Sequence, residues 1–231
     1  MTSALSFADV VKDYRGLRPL RVAALDVAPG ERVAIAGLDV AAAETFINLA
    51  TGAGLPDQGT VTVMGQATDA ITESDDWLAS LDRFGIVSHR AVLLDESTVA
   101  QNIAMSFTLS IDPVPADVRA KVESIAEIVE LPPSLLDTAL SQAGGAARVR
   151  THLARALALD PAILILEHAT LGVPRDDVAG LARSLVRATD ARHLAVIALT
   201  DDDVLAKGMA GRRLRLDAAT GRLKAPSIFS R

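Results

Sequence analysis

The sequence predicts an α/β fold built on a mainly parallel sheet, with a small β-rich region ahead of it and a helical block inserted into it. Three observations carry this. Short apolar runs rich in branched residues recur at 31–36 (ERVAIA), 162–166 (AILIL) and 194–199 (LAVIAL), as strands buried on both faces require. Helical spacing lies between them, at 42–51 and 175–190, and alternation of strand and helix implies parallel pairing. From about 97 to 158 the chain reads mostly as helix, broken at Pro113, Pro115, Pro132 and Pro133.

In chain order, 4–9 and 20–27 read as strands around a turn at Gly16. The run 31–36 leads through Gly37 into the helix 42–51, which stops at Gly52. Residues 59–64 (GTVTVM) alternate as a half-buried strand, and 84–87 form another. The segments 212–216 (RRLRL) and 221–224 (GRLK) read as a closing hairpin.

Half of the 231 residues are apolar and 3% are aromatic, so an ordered chain with an aliphatic core is expected. The formal charge of −6 opposes a nucleic-acid partner, which needs a basic face. With no cysteine, disulfides and thiolate zinc sites are excluded. The four histidines lack ligand spacing. The first residues show no basic start followed by an apolar run, so no signal peptide is expected. The most apolar stretch, ALALDPAILIL, is broken by Asp160 and Pro161 and is too short to span a bilayer.

Residues 30–52 (GERVAIAGLDVAAAETFINLATG) resemble, without a gap, the Walker A region of ABC transporter ATPases. The loop of that family is G-x-x-x-x-G-K-[ST]. Gly37 matches the first glycine, Ala42 stands for the second, Ala43 for the lysine and Glu44 for the magnesium-binding hydroxyl, and Thr45 matches the threonine that often follows. Later segments resemble the family in order and spacing: 55–65 after the first helix, 85–103 the Q-loop with His89 for glutamine, and 143–161 the signature with Ala143-Gly144-Gly145-Ala146-Ala147 for L-S-G-G-Q. ILILEH at 163–168 resembles Walker B, with Glu167 for aspartate and His168 for the catalytic glutamate. LGVP at 171–174 departs from the D-loop, and Asp201 stands for the switch histidine. Residues 91–105 also resemble the lipid-importing Mce/Mla group.

The resemblance implies one nucleotide-binding domain over 1–231, with a P-loop (RecA-like) core at 1–96 and 159–231 and a helical subdomain at 97–158. It implies ATP and Mg²⁺ as cofactors, a transmembrane permease and a second ABC ATPase chain (itself or another) as partners, and a cytoplasmic place at the inner face of the membrane. The replacements argue that binding is weak or absent. Ala43 removes the cation that neutralises phosphate, and Glu44 and Asp201 add negative charge. Glu44 and Glu167 keep oxygen atoms that a metal could use. Val40 stands where the family has a flexible glycine, and a β-branched residue at positive φ is strained, so the loop is expected to take another conformation. His168 reads either as a general base or as a polar residue beside the sheet, and His89 either as a stand-in for glutamine or as a surface histidine. Tyr14 stands where the family stacks an aromatic on adenine; the alternative is a partly buried tyrosine between the first two strands. Gly144 and Gly145 keep the backbone freedom of the signature, and Arg148, Arg150 and Arg155 read as a solvated helix face.

Overall fold

The computed structural model describes residues 2–225. Strands β1 (Leu5–Lys12), β2 (Leu20–Val27) and β3 (Arg32–Ala36) lead into helix α1 (Val40–Ala50). Then come β4 (Gln58–Val63), β5 (Gln66–Ala67), α2 (Ser74–Leu81) and β6 (Phe84–Ser88). The next stretch holds α3 (Val99–Ala104), α4 (Ala116–Ile128), two 3-10 turns and α5 (Gly145–Leu157), and its one isolated strand-like bridge joins Thr98 to Ala139. The chain closes with β7 (Ile163–Glu167), α6 (Arg175–Asp190), β8 (Ala195–Leu199), α7 (Asp203–Met209), β9 (Arg212–Asp217) and β10 (Arg222–Lys224).

Two sheets result. An antiparallel sheet has the order β2-β1-β4-β5, and a six-stranded sheet the order β10-β9-β3-β8-β7-β6. In the latter β9, β3, β8, β7 and β6 all run parallel, and only the β9–β10 hairpin is antiparallel. The apolar runs at the three expected places are thus central parallel strands. Their alternation decides which core each residue enters. Val33, Ile35, Ile163, Ile165, Ala195, Ile197 and Leu199 face the core shared with α1 and the antiparallel sheet. Ala34, Leu164, Leu166, Val196 and Ala198 face the core shared with α3 to α7. Phe7 of β1 stacks on Phe46 of α1, with ring centroids 4.6 Å apart, and ties the antiparallel sheet to the helix.

The parallel direction places the carboxyl ends of β3, β8, β7 and β6 side by side, where ligands of open α/β sheets collect. That edge carries Gly37, Asp201, Glu167 with His168, and Ser88 through Arg90. Helix α1 starts at Val40, two residues before its expected start, because Asp39 caps it: its side chain accepts from the Ala42 N–H.

Candidate functional site

The loop after β3 turns at Gly37, whose φ is 89°; a Cβ there would lie 2.9 Å from the Leu216 carbonyl oxygen, so only glycine fits. Its N–H donates to Asp201 Oδ1 at 3.1 Å. Two residues on, Asp39 Oδ1 accepts the Ala42 N–H at 2.8 Å, and the Asp39 carbonyl accepts the Ala43 N–H at 2.8 Å. A helix N-terminus is a ready-made seat for an anion. Here that seat is served by carboxylates of the chain itself. Val40 lies inside the helix and not at positive φ, so the strain expected for it does not arise: the helical turn begins at the very residue that glycine would have unwound. Ala42 and Ala43 face the core at 7% and 0% exposure, and the Thr45 hydroxyl donates to the Ala41 carbonyl at 2.8 Å. Tyr14 is half-buried against the same core, and burial, then the nearby Asp39 carboxylate, push its pKa up.

The other side of the edge is organised by Arg90. Its guanidinium contacts Glu44 Oε1 at 2.5 Å and donates to Glu167 Oε2 at 3.0 Å from Nη2 and 3.2 Å from Nε. Glu167 is fully buried; Ser88 Oγ also donates to Oε2 at 2.5 Å, while Oε1 finds no partner among the described residues. The two carboxylates that the sequence offers to a metal are therefore held by one arginine, a cation seated between them. Among the described residues no group of three His, Asp or Glu side chains is placed to hold a metal. Sequence reasoning did not single out Arg90 or Asp39. Asp39, an aspartate directly before an apolar helical run, is a capping signal the sequence does carry.

His168 sits at φ 44°; its N–H donates to the Leu199 carbonyl at 2.9 Å, and its ring Nε2 is buried without a partner among the described residues. Asp201 is exposed and pairs with Arg215 at 3.4 Å as well as with Gly37. His89 is exposed at the end of β6. It lines a cavity of about 340 Å³ together with His152, His168, Gly144, Gly145 and Arg148. Histidines without ligand spacing in sequence thus meet at one cavity, three of the four. Gly144 (φ 81°) caps α5, and Gly145 packs so closely that a Cβ would lie 2.3 Å from the Gly172 carbonyl oxygen. Arg148, Arg150 and Arg155 are not a solvated face. They are partly buried and anchored to Asp95, to the Ser184 hydroxyl and to the Val92 carbonyl. The reason is that α5 packs on β6 and α6, so its basic side reaches neighbouring segments rather than water.

Comparison with known proteins agrees with this frame. The ABC transporter family model matches residues 20–171. The sulfate/thiosulfate import ATP-binding protein CysA of Thermosynechococcus vestitus is 31% identical over 199 residues, which are 86% of this chain and 56% of that protein. The lipoprotein-releasing system ATP-binding protein LolD of Pseudomonas syringae pv. tomato is 30% identical, over 86% of each chain. Among solved structures, cbiO1 from Clostridium perfringens, part of an ABC transporter complex, superposes with a TM-score of 0.79 at 18% identity, covering 97% of this chain and 88% of that one. A dimeric ATP-binding cassette bound to ADP and Pi superposes with a TM-score of 0.74 at 20% identity, covering 97% and 100%.

Proposed function

The chain belongs to the ABC transporter family of ATP-binding subunits, and from that premise we propose that it is a subunit whose own nucleotide half-site is inert and which acts by docking or regulation. The observation that carries this is the closure of the site by the chain's own charges. Arg90 is seated between Glu44 and Glu167, and the amides of Gly37 and Ala42 are taken by Asp201 and Asp39. A Mg²⁺-bound triphosphate would have to displace both carboxylates from those amides and pull Arg90 from a buried glutamate. The residues present do not fit that ligand, and no phosphoryl-transfer step is assigned to them. We take 1–96 with 159–231 as the core and 97–158 as the helical unit, the latter facing a transmembrane permease. A second copy or another ABC ATPase would complete a dimer. Among the described residues no helix is long and apolar enough to cross a membrane, in keeping with a peripheral place at its inner face.

A second reading is an active but atypical ATPase. It is favoured by the partnerless buried Nε2 of His168, at the position the resemblance assigns to the catalytic base. Calorimetry with Mg²⁺-ATP and steady-state phosphate release separate the two. The inert reading expects a dissociation constant no tighter than high micromolar, since about 1 mM corresponds to only about −4 kcal/mol, and background turnover. Low-micromolar binding would overturn the inert half-site, and turnover abolished by His168→Ala would establish the enzyme.

A further inference from the structure

The cavity of about 340 Å³ between the α5 N-terminus and the ends of β6 and β7 has a polar end and apolar walls. At its polar end lies His152, 8% exposed, which lines the space and whose ring has no hydrogen-bond partner among the described residues. One turn earlier on α5, Arg148 lines the same space; Asp95 holds one edge of its guanidinium. Helix α5 opens there with Gly144, and among the described residues no side chain caps its first N–H groups. The walls are Leu140, Val149 and Leu171.

We propose that this cavity binds a small organic carboxylate carrying an apolar tail. The helix N-terminus and Arg148 supply positive potential, the buried imidazole supplies an oriented donor, and a volume of about 340 Å³ exceeds what a bare ion fills. A dianion fits less well. Asp95 already offsets part of the Arg148 charge, and Glu167, hydrogen-bonded to the wall residue Ser88, adds negative potential close by. The cavity lies apart from the α1 loop but shares His89, His168, Gly144 and Gly145 with the positions the family uses for nucleotide, so this site rests on the half-site being inert.

The test follows the histidine ring resonances of the full chain, without nucleotide, during titration with hexanoate, hexanol and inorganic phosphate. Hexanoate is expected to shift the His152 ring saturably, with hexanol and phosphate at least about tenfold weaker, the range of one charge-assisted hydrogen bond. His152→Leu should weaken hexanoate binding by about tenfold or more, and His152→Gln, which restores a donor, should recover most of it. Absence of a saturable shift in the unaltered chain up to about 10 mM hexanoate, or equal binding of hexanol, overturns the proposal, and this arm stands even if a variant fails to fold. Tighter binding of phosphate than of hexanoate overturns the ligand class.

Discussion

Arg90 keeps two carboxylates close together that would otherwise repel, and one of them, Glu167, is completely buried. Removing one member of such a pair is costly because the remaining charge stays out of water, typically by about 3–5 kcal/mol. Arg90→Ala should therefore lower the urea midpoint of unfolding substantially. Glu167→Gln in the same chain should recover part of the loss, because a neutral amide carries a smaller desolvation cost. A second test concerns Ala43, whose side chain is fully buried in the core beneath α1. Ala43→Lys restores the family residue in name only: overfilling a packed site costs about 1–3 kcal/mol, and the ammonium adds a buried charge. The expected outcome is a lower melting temperature that Mg²⁺-ATP does not raise. A melting temperature that climbs with added nucleotide would show instead that the lysine reaches phosphate.

Helix α1 owes its starting point to one cap. Asp39→Ala should cost about 1 kcal/mol, within the 0.5–2 kcal/mol range of such losses, whereas Asp39→Asn should keep the cap and remove its charge. Chemical denaturation of the three proteins checks the order wild type, Asn, Ala. The start of this helix also shows what the sequence reveals and what it hides. The parallel strands are legible because burial on both faces demands unbroken apolar runs, as in Ile163–Leu166, and α6 is legible at both ends because its amphipathic face repeats without interruption. The shift of α1 to Val40 is local information, an N-cap overlooked beside the glycine pattern of the loop. Arg90 is hidden for a different reason. It lies 77 residues from Glu167, and only the pairing of Ser88 with Glu167 in adjacent strands brings them together. His152 is hidden likewise, since its cavity is closed by α5, the segment after β7 and β6, the last of which ends at Ser88, far earlier in the chain.

At the scale of the whole molecule, the six-stranded sheet is clothed on one face by α1 and the antiparallel sheet and on the other by α3 to α7. His152 lies in the second of these layers, in α5. Burial, then the charges of Arg155 and Arg148, lower its pKa from 6.5 to about 4. It is therefore neutral in the folded chain at pH values where the unfolded chain already binds a proton. Between pH 6.5 and about 4 the unfolded state holds more protons, so stability rises with pH and is lost as pH falls through that window. The carboxylates with lowered pKa, such as Glu130 and Asp137, act below it. They lose their contribution only as pH drops past the ordinary carboxylate range. The histidine contribution is on the order of 3 kcal/mol, enough to move a melting temperature by several degrees in a domain of this size. Thermal unfolding between pH 7.5 and 4.5 should thus show a steady decline that His152→Leu flattens, with no protonatable ring left to favour the unfolded chain. An unchanged slope in the variant would place the acid sensitivity elsewhere and show that the ring is not held neutral. A small carboxylate bound beside the ring should lessen the decline as well, because a nearby negative charge raises the folded-state pKa toward its ordinary value.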